Sequence, residues 1–402
     1  MTLTLSSQAY LAAPHEMLAA IVAEGPYNQT KIPIFGKIQL LTRHAAIHAL
    51  LKDKDLFAVD ARHAGHKAPF ALPLLPKSLK IMANNLLSLD DPDHARLRRL
   101  ADAPFRRAAI QAQRPKIVAY AHQLLSQMEA EGNTDLVSGF CRPLPLKVIY
   151  GLLGFRPETE AKLDRSLSNL TASDAPLTML WGLMRLGGIQ NLLREEFRAL
   201  HESPREGLVS DLVHAEADGQ KMSEDELLAM VFVLFVAGHE TTTHLLSSGV
   251  WTLLSQPGAA EQVRAMDEEA RLIAVDELMR YCTPVQMTKP RFVRQDMEFE
   301  GRALKRGDRL FGFLAAGNMD PSEFDTPDQL DLARRPNRHV GFGSGAHLCL
   351  GIHLARTEAE AALDVLFTRY PALAIEGDPA ACKWISRAGL RGLKRLPLRL
   401  GT

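Results

Sequence analysis

Excess charge of either sign is absent: 47 Lys and Arg residues balance 47 Asp and Glu residues in a chain of 402. No overall field therefore draws the protein to nucleic acid or to an anionic membrane, and any charged partner must meet a local patch. Cysteine is scarce as well. Cys141, Cys282, Cys349 and Cys382 are scattered with no CxxC spacing, which suggests neither a disulfide framework nor a structural zinc site. The N-terminus, MTLTLSSQAYLAAPHEM, has no basic stretch followed by an apolar one and does not read as a secretory signal. The longest charge-free apolar run, Leu227 to Gly238, spans 12 residues, short of the roughly 20 that a bilayer crossing needs. No internal repeat, low-complexity tract or Gly/Ser linker divides the chain. The expectation is one domain over residues 1–402, a cytoplasmic monomer with no nucleic-acid or membrane partner.

What is present is ordinary globular composition, 46% hydrophobic and 23% charged, enough to build a sizeable core. Lys31 to Thr42 (KIPIFGKIQLLT) is β-branched and interrupted by glycine, which predicts a hairpin. From about residue 94 to 282 apolar residues recur three and four apart, as in QRPKIVAYAHQLLSQMEA, and predict helix. MEFEGRALKRGDRLFGFLAAGN reads as two short strands around a turn, and LRGLKRLPLRL again as strand. The fold class is therefore mainly α with small β-sheets. One helix stands apart: Ser223 and Glu226 form a capping box, and the pattern then runs over about residues 224–256, to just before Pro257. Such a helix is roughly 50 Å long. Its apolar middle, LLAMVFVLFV, gives way to AGHETTTH, where an acid and hydroxyls replace hydrophobic side chains.

The strongest local pattern is FGSGAHLCLG, Phe342 to Gly351, which leads into the helical IHLARTEAEAALDVLF. Cys349 thus lies near a helix N-terminus, where the macrodipole and free N–H groups favour thiolate over thiol. Gly343, Gly345 and Gly351 clear side chains from around the sulfur, so a flat ligand can approach. Taken alone, the cysteine fits a buried structural role equally well. A zinc site of His347, Cys349 and His353 lacks a fourth ligand. A cysteine nucleophile with His347 as base lies in no recognised motif. Glu277 and Arg280, three apart on a helix, can pair on one face. Val233, Ala237 and Thr241 recur every fourth residue and share a face of the long helix.

Taken together, these segments resemble the cytochrome P-450 family. FGSGAHLCLG is similar to its haem-binding signature, in which the cysteine thiolate ligates haem iron. Ala237-Gly238-His239-Glu240-Thr241-Thr242 resembles the oxygen-activating groove of its long helix, Glu277-Leu-Met-Arg280 its ExxR pair, and Asp331 to His339 the meander that precedes the cysteine loop. His94-Ala-Arg-Leu-Arg98 resembles the helix that holds a haem propionate. The matches run in order from about residue 90 to 397. The resemblance implies the cytochrome P-450 fold and a haem b cofactor with Cys349 as axial thiolate. It places Phe342, Gly343, Gly351, Ala237 and Gly238 against the cofactor and gives its propionates to His94, Arg98, Arg291 and His347, with His339 a further candidate.

On the same resemblance Glu277, Arg280 and Arg334 form a structural network behind the cysteine loop, while Thr241 and Glu240, expected to be a buried acid, deliver protons. The substrate pocket takes Val233, Val236, Ala237, Gln286, Met287 and Leu390, with the loop from Phe70 to Leu75 and the segment Leu177 to Leu193. The implied activity is a monooxygenase that inserts one atom of O2 into an apolar small molecule. Three spare cysteines cannot hold an iron–sulfur cluster, so electrons would come from NAD(P)H through a reductase and a ferredoxin-type donor, docking near Arg98 and Arg356. A peroxide-driven hydroxylase of the same fold and a non-catalytic haem sensor are the rival readings.

Overall fold

The computed structural model describes residues 4–32, 36–66, 76–171, 176–217 and 219–401. The chain gathers into two compact units, Met1–His66, Phe105–Pro145 and His239–Thr402 in one, Lys67–Pro104 and Leu146–Gly238 in the other. The first unit holds a five-stranded sheet in the order Tyr27–Ile32, Gly36–Leu41, Arg309–Gly312, Arg291–Val293, Phe57–Ala58. Only the Gly36–Leu41 to Arg309–Gly312 pairing is parallel. Ile47 and Leu50, from the helix His44–Lys52, fill the core beside Leu41, Leu310, Leu314 and Val340. Helices Arg107–Glu131, Glu268–Cys282 and Ile352–Arg369 complete this unit. In the second, helices Asp93–Asp102, Pro157–Thr171, Pro176–Glu202 and Leu208–His214 accompany a two-stranded ribbon, Glu216–Ala217 with Gln220–Lys221.

The expected hairpin is present but begins earlier, at Tyr27 rather than Lys31. The buried face of its first strand carries Asn28 and Thr30, so apolar alternation did not reveal it. The segment expected to hold two strands holds three: Met297–Phe299 pairs with Arg302–Leu304, and Arg309–Gly312 joins the main sheet before a helical turn, Leu314–Gly317. At the end of the chain, only Leu398–Arg399 forms a strand, paired with Ala374–Ile375.

The long helix spans Glu224–Ser255, one residue short of expectation. Its capping box is made as the sequence predicts: the Ser223 N–H donates to Glu226 Oε2 at 2.8 Å, and the Glu226 N–H to Ser223 Oγ at 3.3 Å. Among the described residues it is the one helix long and apolar enough to cross a membrane, but 67% of its most apolar window is buried within the protein, as in a core helix. Residues up to Gly238 group with the second unit and those from His239 with the first.

Candidate active site

Cys349 sits two residues before Gly351, the N-cap of the Ile352–Arg369 helix. Its loop is closed by its own backbone, since the Cys349 N–H donates to Phe342 O at 2.9 Å and the Leu348 N–H to Gly345 O at 3.1 Å. Gly345 is obligatory here: φ is +70°, and a Cβ would lie 2.4 Å from Leu51 O. Around Gly351 the opposite holds, with no atom within 4 Å of such a Cβ. Leu348, beside the cysteine, is one of the few large apolar side chains exposed to solvent.

Behind the loop stands the expected network, and it is more extensive than a triad. Glu277 and Arg280 are 0% exposed, and the guanidinium grips both carboxylate oxygens, Nε to Oε2 at 2.8 Å and NH2 to Oε1 at 2.7 Å. Arg334 Nε donates to the same two oxygens at 3.1 and 3.2 Å, Asn337 Nδ2 to Oε2, and the Asp331 N–H to Oε1. Two arginines on one acid leave a surplus cation. Carbonyls absorb it: Arg280 NH1 donates to Asn318 O and Pro327 O, and Arg334 NH1 to Asp325 O. Asn318 Oδ1 in turn accepts from the Val340 N–H at 2.8 Å, which ties the network to the residue before Gly341 and Phe342. Removing one ion from such a pair strands the other, at roughly 3–5 kcal/mol.

The long helix presents a solvent-accessible face at four-residue spacing. Val236 is 37% exposed, and Ala237, Glu240 and Thr241 are open on the same side, while Leu234 and Phe235 are buried. Val233, on the same face, is nearly covered. Glu240 corrects the expectation of a buried acid: it is 24% exposed, and its Oε1 accepts a hydrogen bond from Arg387 NH2 in the C-terminal segment. One turn on, Thr243 Oγ1 donates to His239 O at 2.8 Å. Arg387 was missed in the sequence because a contact across 147 residues leaves no local signal.

The remaining candidates divide. Arg291 is buried in its strand, and His347 ends a short turn with partial exposure. His339 is engaged otherwise: its Nδ1 accepts from the Gly341 N–H at 3.2 Å and its Nε2 faces Asp276 at 3.9 Å, the carboxylate that also pairs with Arg356 Nε at 2.8 Å. Gln286 is buried, and its amide is held by Tyr10 OH and the Thr283 carbonyl, so it supports the wall rather than lining it. Met287 and Leu390 are partly exposed, and Leu390 bridges Val285. In the second unit His94 is buried with Nδ1 3.6 Å from Asp91 Oδ1, and burial pulls its pKa down. Arg98, one turn further on, is half-buried. The Phe70–Leu75 loop lies outside the described residues. Leu177–Leu193 is helical, within Pro176–Glu202, but its side chains as far as residue 185 lie outside the described ones too.

A family profile described as Cytochrome P450 matches residues 188–269 and 273–381. The polyketide biosynthesis cytochrome P450 PksS of Bacillus subtilis (strain 168) is 33% identical over 398 residues, 96% of each chain. The chain belongs to the cytochrome P450 family. The P450 monooxygenase PikC of Streptomyces venezuelae is 31% identical over 397 residues, 98% of this chain and 92% of its own. The solved PksS structure matches over 100% of both chains with a TM-score of 0.89 at 31% identity. P450BioI, in complex with hexadec-9Z-enoic acid ligated acyl carrier protein, matches 98% of this chain and 99% of its own, with a TM-score of 0.84 at 28% identity.

Membership makes the chain a haem monooxygenase, an oxidoreductase whose family ligates haem iron through a cysteine thiolate. The residues present fit that P450 cofactor. A cysteine stands at a helix N-terminus on a glycine-cleared loop, with open space at Gly351 and an exposed leucine beside it. The long helix independently shows an open face on which small Ala237 stands beside Val236, Glu240 and Thr241.

Proposed function

We propose that Cys349 is the axial thiolate of a haem b and that the enzyme inserts one atom of O2 into an apolar substrate. The second oxygen atom leaves as water, which consumes two protons and two electrons from NAD(P)H passed through separate ferredoxin-type and reductase proteins. The observation that carries this reading is the cysteine loop itself: a helix N-terminus and a closed hydrogen-bonded turn frame the sulfur, and a buried ionic brace is tied to Val340 just before the loop. When bound, thiolate-ligated haem supplies the O–O cleavage chemistry. On the family resemblance, His94, Arg98, Arg291 and His347 would hold its propionates, the arginines through their planar fork. Val236, Ala237, Met287 and Leu390 orient the substrate by apolar contact, and Thr241 with Glu240 holds and moves the protons that the reaction consumes.

The electron donor is an acidic protein that meets the cysteine side of the first unit. A groove of about 530 Å³ there is lined by Arg107, Arg114, Arg335 and Arg356 together with Glu268, Glu269 and Glu360. Arg356 is already paired to Asp276, Arg114 to Glu360 and Arg335 to Glu269, which leaves Arg107 the foremost of these contacts. Substrates are fatty-acyl or polyketide-like apolar carbon chains. The names of PksS and of the acyl carrier protein complex of P450BioI support that class. The enzyme works in the cytoplasm as one functional unit.

The test has two arms. Titrating purified holoenzyme with fatty acids and polyketides while following the haem absorption band is expected to give saturable shifts with apolar ligands and none with sugars or nucleotides. With ferredoxin, reductase and a ligand so found, NADH use is expected to yield oxygenated product. In Thr241→Ala, NADH use is expected to continue while product per NADH falls several-fold and hydrogen peroxide accumulates. Unchanged coupling in that variant contradicts the proton role of Thr241, and wild-type preference for peroxide over O2 contradicts the monooxygenase reading.

A further inference from the structure

His244 lies on the long helix four residues after Glu240 and is 3% exposed. Neither ring nitrogen has a hydrogen-bond partner among the described residues. A buried polar group left unpaired costs about 1–3 kcal/mol and so calls for a reason. On one side the ring is packed hard against the C-terminal segment, where a Cβ on Gly392 would lie 2.1 Å from His244 Nδ1. On the other, Nε2 faces Glu240 Oε1 at 4.0 Å. That is the same oxygen that accepts from Arg387 NH2. Glu240 Oε1 therefore stands between a half-exposed guanidinium and a buried imidazole. The other charged or titratable groups acting on the ring are Arg142 and His239, and burial together with them pulls its pKa down to about 4. At neutral pH the ring carries one proton and presents one donor and one acceptor.

We propose that His244 is a positioning residue that gives Glu240 a second, interior seat, so that the acid alternates between Arg387 and His244 as it gains and loses a proton. The ionised carboxylate is held by Arg387 through a charge-assisted bond. Once Glu240 takes a proton from solvent that attraction is lost. The neutral acid then closes about 1 Å onto Nε2, from 4.0 Å to hydrogen-bond distance. Loss of the proton to the oxygen side restores the charge and returns the side chain to Arg387. The orphaned ring nitrogen is thus a seat kept ready, and Gly392 fixes the ring in place for it. This inference rests on the reading that Glu240 serves the oxygen side of the helix.

The test uses ¹⁵N-histidine-labelled holoenzyme in the diamagnetic ferrous carbonyl form. In wild type at neutral pH, His244 Nε2 is expected to show no hydrogen bond. Glu240→Gln, a neutral mimic of the protonated acid, and Arg387→Gln, which removes the outer seat, are each expected to shift the Nε2 resonance and slow exchange of the ring proton at least 10-fold. Unchanged His244 resonances in both variants overturn the proposal. In turnover, His244→Leu is expected to lower product per NADH several-fold with unaltered substrate affinity, and His244→Gln, which keeps a donor and an acceptor, to restore much of it. Equal coupling in wild type and His244→Leu also overturns it. The underlying reading fails separately: if Glu240→Gln itself leaves coupling intact, Glu240 carries no proton, whatever the resonances report.

Discussion

The two sides of the first unit that meet the chemistry are built on opposite plans. Behind Cys349 every polar atom of the central acid is engaged, with Glu277 fully buried and held by two arginines, an asparagine and a backbone amide. On the long helix the acid is partly open to solvent and held by one arginine that is itself 47% exposed, beside a histidine whose nitrogens are unmet. On the proposed reading the first arrangement fixes a ligand and gains nothing from motion. The second retains spare hydrogen-bonding capacity, which a group that must pass protons requires. A buried, saturated network and a half-open, unsaturated one thus stand in the same unit, as the proposed division between rigid support and proton transfer requires.

This contrast can be broken most severely from the saturated side. Glu277→Ala leaves Arg280 and Arg334 in the interior without their anion, and a loss of about 3–5 kcal/mol is expected. Thermal melting with haem content is the measure, and full occupancy at an unchanged midpoint would place the pair outside the fold's support. Gly345→Ala comes next. A side chain there meets Leu51 O at a positive φ, for an expected cost of about 2–4 kcal/mol. Gly351→Ala, with open space around it, is expected to stay within about 1 kcal/mol in the ligand-free protein. Equal melting points for the two variants would show that the loop is not held against the His44–Lys52 helix.

On the unsaturated side the expected effect depends on pH. His244 is held neutral by burial, with its pKa down at about 4, so the unfolded chain, at the ordinary value near 6.5, takes up a proton first. The stability this group contributes is complete above about pH 6.5 and is lost as pH falls toward 4. The change is on the order of 3 kcal/mol. Urea unfolding across that window is expected to show a shallower slope in His244→Asn than in wild type, and identical slopes would mean the ring is charged in the folded state. The smallest effect belongs to Arg387→Gln. A single bridge with one member about half exposed is worth under about 1 kcal/mol, so its melting point is expected to stay near wild type even though the Glu240 contact is gone.

The same divide governs what was readable in the sequence. The cysteine loop, the ExxR pair and the capping box are built from residues within a few positions of one another, so their patterns were legible, although the roles of the loop and the pair came only with the family resemblance. Arg334 lies 57 residues from Glu277 and was placed only by resemblance. Arg387 and His244 were not placed at all. Arg387 reaches Glu240 from a C-terminal segment whose strand-like pattern says nothing of its partner, whereas His244 stood in plain view one turn after Glu240 and only its burial marks it out. The strand from Tyr27 escaped because polar Asn28 and Thr30 face inward, which inverts the usual pattern.

The central claim is that one cysteine of four holds the haem. Holoenzyme and four variants, Cys141→Ala, Cys282→Ala, Cys349→Ala and Cys382→Ala, are reduced under carbon monoxide and their absorption recorded. The red-shifted Soret band of a thiolate-ligated haem is expected in wild type and in every variant except Cys349→Ala, because Cys349 alone stands at the head of a helix on a glycine-cleared loop. The same band persisting in Cys349→Ala, or vanishing in one of the other three while that protein still folds and binds haem, would contradict the account.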